Sequence, residues 1–303
     1  VFTNSSSDST RLGNRGPLAV ILAGICFGTT GTAQQLGAKT ISPLAVGSAR
    51  LLCGALFMFI FWKFTSQQKE KPKIPGVGLF VSALGVGGYQ LAFFSSVRMT
   101  GVATATLIAL GTSPIFTGVI SFIHARTKLG FRWIRATVIT TIGITLLSGA
   151  HGFAAMRPGG VVMALLAGFS FALFNVSSKS LLIQGIASSY LMARIFLLAS
   201  LLIFPILFTA NPRWLITSHG AITVIWLGLV PTAMAYFLYS FGLHRVTAHT
   251  ASTLVLAEPA TATILAAFVL HESLSIESLI GIAFVALGLI HLSRSSQIVE
   301  PIF

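Results

Sequence analysis

Apolar residues run along this chain in stretches of about twenty, separated by short polar interruptions, and the pattern occurs ten times between residues 17 and 294. The stretches lie at 17–37, 43–64, 75–97, 102–124, 131–150, 160–183, 187–209, 219–241, 248–270 and 276–294. At about 1.5 Å of rise per residue, some twenty helical residues cross a hydrocarbon core roughly 30 Å thick. Each stretch therefore predicts a membrane-spanning helix. The connections are a few residues long, too short for any soluble domain. The predicted fold is an all-α polytopic membrane protein with ten transmembrane helices.

Composition agrees with this pattern. Of 303 residues, 54% are apolar and 8% charged, whereas an ordinary soluble domain carries about 25% charged residues. With a mean hydropathy of +0.90, too few polar side chains exist to coat a globule, and lipid is the expected solvent of most of the surface. Cys26 and Cys53 lie inside apolar runs and offer no disulfide framework.

The net charge of +13 would suggest nucleic acid in a soluble protein, but the cations sort by topology instead. With a cytosolic N-terminus, twelve fall on the inner side: Arg11, Arg15, Lys63, Lys69, Lys71, Lys73, Arg126, Lys128, Arg132, Arg135, Arg245 and Arg294. Four fall outside: Lys39, Arg98, Arg157 and Arg213. This positive-inside bias predicts both termini in the cytosol and implies no nucleic-acid partner. Residues 1–16 are polar and lack the short apolar core of a signal peptide. They read as a cytosolic tail, matched by a second at 295–303.

The chain also repeats. A shift of 144 sets Gly24-Ile-Cys-Phe-Gly28 over Gly168-Phe-Ser-Phe-Ala172 and Ala49-Arg50-Leu51 over Ala193-Arg194-Ile195. Near a shift of 147, Tyr89 meets Tyr236 and Arg98-Met-Thr100 meets Arg245-Val-Thr247; with a slip of two residues, Pro114 meets Pro259 and Gly143 meets Gly288. Two five-span units are predicted, 17–150 and 158–294. Five is odd, so the copies must cross in opposite senses, forming an inverted repeat. The segment His124 to Arg135 carries four cations, while its copy, His271 to Glu277, carries two acids, as inversion requires. Inverted repeats suit a secondary transporter working by alternating access, with its site near the midplane. Glycines such as Gly24 and Gly28 read as close-packing positions, or as parts of a broken helix lining a cavity.

Few groups inside the spans can carry chemistry. Glu258 is the only acid near midspan, where an unpaired carboxylate costs several kcal/mol. It reads as a proton-coupling or substrate-ammonium site, or as a structural partner of Arg50, Arg194 or backbone freed by Pro259. Arg50 and Arg194 occupy equivalent repeat positions and read as scaffold contacts or as anchors for a substrate carboxylate. Lys179 is placed to snorkel to the interface. An uncharged seam supplies the candidate substrate-binding residues: Thr30 and Gln34, flanked by Thr29 and Gln35; Tyr89 and Gln90; Asn175, with Ser178; and Tyr236, Tyr239 and Ser240. Helix-to-helix hydrogen bonding is the alternative role for each. The twenty-four Phe residues read mostly as lipid-facing bulk, and the seven His residues, His244 and His249 included, as interfacial.

Rival classes lack their signatures. No His-Glu-x-x-His or Gly-x-Ser-x-Gly motif occurs, nor any carbonyl-filter sequence such as Thr-Val-Gly-Tyr-Gly. We expect no catalytic residues, no metal site and no cofactor.

On these residues the sequence resembles the EamA family of the drug/metabolite transporter superfamily. The matching features are the ten spans in two repeats, Ser42-Pro43, Ala49-Arg50-Leu51-Leu52, Glu258-Pro259, His271-Glu272, Gly281 and Gly288. The first repeat departs from the family in having Ser113-Pro114 where Glu-Pro is common and Thr127 where a loop-closing Glu would sit. The resemblance implies export of small organic metabolites, with amino acids favoured and exporters of the YddG aromatic-amino-acid type as the model. Drugs or other metabolites, moved with protons or passively, are the alternative. It further implies a monomer in the bacterial inner membrane whose partners are its small-molecule substrate and the bilayer.

Overall fold

The computed structural model describes residues 15–65, 72–148 and 157–294. The segments 1–14 and 295–303, and with them Asp8 and Arg11 and nearly all of both expected tails, lie outside the described residues, as do Lys69, Lys71 and His151. Every regular element among the described residues is helical: α1 (Arg15–Gly37), α2 (Pro43–Thr65), α3 (Gly76–Thr100), α4 (Val102–Ala125), α5 (Phe131–Ser148), α6 (Pro158–Ile183), α7 (Ser188–Ile203), α8 (Ser218–Gly228), α9 (Ala235–Arg245), α10 (Ala248–Leu254), α11 (Ala257–Val269) and α12 (Ile276–Ser293), with short 3₁₀ and π segments between some of them.

Prolines explain why twelve α-helices serve ten predicted spans. Pro205 ends α7 at Ile203, and the predicted span to 209 finishes as a 3₁₀ turn, Phe204–Thr209. Pro231 lacks an N–H, and the chain joining α8 to α9 widens into a π segment, Leu229–Met234. The Thr232 hydroxyl donates to the Leu227 carbonyl at 2.7 Å and satisfies that backbone acceptor locally. Pro259, the third residue of α11, follows the break between α10 and α11 in the ninth span.

Nine helical stretches among the described residues are long and apolar enough to cross a membrane, with α8–α9 and α10–α11 counting as one each. The predicted fifth span is a helix, α5, but is not one of the nine; Arg132 and Arg135 in its opening turns lower its apolarity. The outer surface carries large apolar side chains, among them Phe64, Val77, Ile123, Ile216 and Phe268, all more than 70% exposed. Their number on one bundle marks a lipid-facing surface.

Packing pairs the helices across the two halves of the chain. α3 lies on α6 as α8–α9 lies on α1, α4 lies on α6 as α10–α11 lies on α1, and α2 meets α7 while α5 meets α12. Missing side chains set several of these crossings. A Cβ on Gly24 would come 2.9 Å from the Val255 carbonyl oxygen, and one on Gly28 2.9 Å from that of Glu258. Gly168, their counterpart in α6, would meet the Ala109 carbonyl at 2.7 Å. A Cβ on Gly143 would come 2.8 Å from the Gly281 carbonyl oxygen, and one on Gly288 3.1 Å from that of Ala136. Close backbone approach is how membrane helices gain packing energy where no hydrophobic drive separates protein from lipid.

Buried hydroxyls add hydrogen bonds where α10 meets α4 and α5. Ser113 pairs with Ser252 at 2.7 Å, Thr137 with Thr253 at 3.0 Å, and Trp133 Nε1 donates to Thr253 at 3.0 Å. Such bonds contribute about 0.6 kcal/mol each in membrane proteins.

Two glycines of α1 make the packing argument testable. A Cβ at Gly31 meets nothing within 4 Å, whereas one at Gly24 meets backbone. Gly24→Ala should lower stability by about 1–3 kcal/mol, and Gly31→Ala should be neutral or stabilising by up to ~1 kcal/mol through helix propensity. Heating the detergent-purified variants and measuring the fraction that remains monodisperse checks this; equal effects at both positions would refute it.

Candidate functional site

The site begins at the break in the ninth span. Pro259 has no N–H to donate to the Val255 carbonyl and disfavours helical backbone in the residue before it. That carbonyl instead accepts from Glu258 N–H at 3.0 Å, and Val255 and Leu256 form a turn between α10 and α11. Glu258 therefore occupies the first turn of α11, where a helix N-terminus favours negative charge. The turn faces Gly24 and Gly28 of α1, which runs unbroken through both, so these glycines are close-packing positions and the broken helix is the one opposite.

Arg50 projects from the second turn of α2 toward the same region. Its guanidinium donates to Gln90 Oε1 of α3 at 3.0 Å and to Thr30 Oγ1 of α1 at 3.4 Å. Its Nε is buried without a partner, and so is Gln90 Nε2. Glu258 lies within electrostatic reach of Arg50, together with Tyr89 and Tyr236, yet the carboxylate and guanidinium form no direct ion pair and Glu258 accepts no side-chain hydrogen bond among the described residues. The site thus presents one cation and one anion, separated, each with unused hydrogen-bonding capacity. Arg50, Thr30, Gln34, Tyr89 and Glu258 are each half-buried, in the interior of the bundle.

Aromatic rings line the region on the side of α6 and α9. Tyr236 packs edge-on against Phe27 with centroids 4.8 Å apart, and lies 4.4 Å from Phe196 and 5.5 Å from Phe174. Tyr89 lies 5.6 Å from Phe171. The two contacts Phe27–Tyr236 and Phe171–Tyr89 join residues at matching repeat positions. Below them Tyr239, fully buried, donates to Asn175 Oδ1 at 2.8 Å. Ser82 of α3 pairs with Ser177 of α6 at 2.6 Å and accepts from Ser178 at 3.4 Å.

The residues expected to share a site divide into three groups. Arg50, Gln90, Thr30, Tyr89, Tyr236 and Glu258 come together, with Gln34 one turn beyond Thr30 on α1. Asn175, Tyr239 and Ser240 are fully buried; the first two bond each other and Ser240 donates to the Phe237 carbonyl at 3.1 Å, so they brace the packed end of the region. Arg194 does not join. Although sequence-equivalent to Arg50, it is exposed on α7 with its guanidinium 5.8 Å from the Tyr190 ring.

Two expectations change. Phe27, Phe171, Phe174 and Phe196 are core rings at the site and not lipid-facing bulk; the equivalence of Phe27 and Phe171 in the repeat was the available signal. His249 is buried at 4% exposure, against the interfacial expectation, because its ring packs edge-on against Trp133 and its Nε2 bonds Thr247 at 3.0 Å. Lys179, in the last turns of α6, donates to the carbonyls of Leu243 and His244 at 2.9 and 3.0 Å, at the C-terminal end of α9 where a cation is favoured. Among the described residues no group of three or more His, Cys, Asp or Glu side chains gathers to hold a metal ion.

The two halves of the chain, residues 14–149 and 158–294, each match the model of the EamA-like transporter family. A protein of Bacillus subtilis strain 168 named uncharacterized transporter YwfM is 36% identical over 286 residues, covering 94% of this chain and 96% of that protein. Uncharacterized transporter YoaV of the same organism is 25% identical over 283 residues, covering 90% and 94%. A crystal structure of a protein 18% identical in sequence shares the fold with a TM-score of 0.79, covering 93% of this chain and 97% of that one. Family, length and apolar helices agree on a multi-pass integral membrane transporter, and the chain belongs to the EamA-like transporter family.

Proposed function

We propose that the protein is a secondary transporter, working in the direction of export, whose substrates are amino acids, aromatic ones included. One observation carries this reading: Arg50 and Glu258 stand in one region as separated opposite charges, with Arg50 Nε and Gln90 Nε2 unpartnered. A zwitterion fits that arrangement, its carboxylate on the guanidinium and amide and its ammonium on the carboxylate. The ring wall of Tyr89, Tyr236 and Phe27 suits an aromatic side chain.

Alternating access between two inverted five-span units is the mechanism we attach to this site, with α5 as the fifth crossing and both termini cytosolic. Support comes from the packing: exchanging each span for the one five later maps the α3–α6 crossing onto α8–α9 with α1, and the α4–α6 crossing onto α10–α11 with α1. Gly24 at Val255 and Gly168 at Ala109 obey the same exchange. A unit packed in two ways about an in-plane axis can interchange those packings, and the site then faces opposite sides in turn. The protein acts in this scheme as a monomer.

Counterflow in proteoliposomes tests the substrate class: labelled phenylalanine should exchange against unlabelled internal amino acid with saturable, trans-stimulated kinetics. Unsaturable flux, or exchange only with non-zwitterionic compounds, would overturn the reading. Arg50→Gln should weaken amino-acid affinity roughly ten- to hundredfold, the value of a charge-assisted hydrogen bond. Tyr89→Leu and Tyr236→Leu should reduce affinity for aromatic amino acids more than for alanine.

Glu258 also carries a proposal of proton coupling, motivated by its unpaired position in the interior. In Glu258→Gln, exchange driven by a substrate gradient should persist at reduced affinity, the ammonium having lost its carboxylate, while acceleration by an imposed pH gradient disappears. Full pH-driven transport in this variant would exclude coupling through Glu258.

A further inference from the structure

A second feature lies outside the bundle interior, where α1 starts and α9 ends. An open groove of about 340 Å³ runs down the outer surface between these two helices, lined by Leu18, Ala19 and Leu22 of α1 and by Phe237, Leu238 and Phe241 of the opposite wall, with Arg15 at its mouth. Its lining is otherwise wholly apolar, and Leu18 and Leu22 are more than 40% exposed.

Cations collect at that mouth. Arg245, the last residue of α9, donates to the Phe241 carbonyl at 2.8 Å and stacks its guanidinium 3.5 Å above the Phe241 ring, a ring of the groove wall. Arg15 is within electrostatic reach of it. The two helices are pressed together here: a Cβ on Gly16 would lie 2.8 Å from Arg245 Cβ, and one on Gly242 2.7 Å from the Gly16 carbonyl. The backbones therefore hold both arginines near each other, with Lys179 and His244 just behind. The acids among the described residues are Glu258, Glu272 and Glu277, and none pairs with Arg15 or Arg245.

Two guanidiniums within electrostatic reach repel each other, and both can donate to one anion. The apolar groove leading away from them lies on the lipid-facing surface, so a molecule that satisfies both features carries a negative headgroup on an alkyl chain. A zwitterionic phospholipid brings an ammonium into the same cationic cluster and is disfavoured. We propose that this groove is a binding site for an anionic phospholipid. The phosphodiester sits between Arg15 and Arg245, and one acyl chain lies along Leu18, Leu22 and Leu238. Basic pockets between membrane helices take anionic headgroups by this chemistry.

Native mass spectrometry of the detergent-purified full chain, titrated with dioleoyl phosphatidylglycerol or dioleoyl phosphatidylcholine, tests the site. The anionic lipid should bind more tightly by roughly fivefold for each arginine. Arg15→Gln and Arg245→Gln should each remove about one such factor, and the double variant should bind the two lipids equally, with thermal unfolding showing that it is folded. Arg132→Gln combined with Arg135→Gln, which lowers charge elsewhere, should leave the preference intact. Equal binding of both lipids to the unaltered protein would overturn the proposal, as would an equal loss of preference in the Arg132/Arg135 variant. Competition by glycerol 3-phosphate as effective as that of the intact lipid would also overturn it, because the groove would then contribute nothing.

Discussion

The backbone-to-backbone crossing of α1 on the broken ninth span holds much of the rest in register. Gly24 and Gly28 leave no side chain between the two chains, and the carbonyls of Val255 and Glu258 lie where any Cβ would clash. Because Pro259 has already removed one rung of the hydrogen-bond ladder, the turn at Val255–Leu256 needs a rigid neighbour, and α1 supplies it. From that turn Glu258 enters the interior. Thr30, two residues beyond Gly28 on α1, is brought to Arg50. Small residues, a proline and two charges thus form one construction.

The energetics of that interior explain why it holds so few charges. A carboxylate or guanidinium in a low-dielectric bundle costs several kcal/mol unless it is hydrogen-bonded or paired. Arg50 recovers part of this through Gln90 and Thr30, while Glu258 sits at a helix start whose dipole favours an anion. Neither is fully satisfied. A direct pair between them would be a closed structural bridge; keeping them apart leaves each able to accept a partner that arrives and leaves.

Symmetry in this molecule is a matter of backbone, and asymmetry a matter of side chains. Glycine contacts and ring contacts recur in both halves, as Phe27–Tyr236 and Phe171–Tyr89 illustrate. The charges do not recur. Arg50 bonds inside the bundle whereas Arg194 is exposed beside Tyr190, and Glu258-Pro259 has Ser113-Pro114 as its counterpart, whose hydroxyl is used up in a bond to Ser252. Each half therefore supplies one of the two interior charges, Arg50 from the first and Glu258 from the second, and the counterpart of each carries no interior charge.

Hydrophobic runs of about twenty residues, prolines and small residues are local properties, and they were sufficient to locate the helices within a few residues at nearly every end. The glycine positions announced close crossings for the same reason, since a missing Cβ acts wherever the helix meets a neighbour. Partners could not be read this way. Whether an intramembrane arginine points inward depends on which helix packs beside it, so Arg50 and Arg194 look alike in sequence and differ in place. Phenylalanine is equally at home in lipid and in a core, and only the packing of α1, α6, α7 and α9 decided that Phe27, Phe171, Phe174 and Phe196 wall the site. The sequence by itself determined which segments are helices and which groups are costly to bury; the tertiary structure decided which of those groups meet, because meeting requires contacts between segments far apart in the chain.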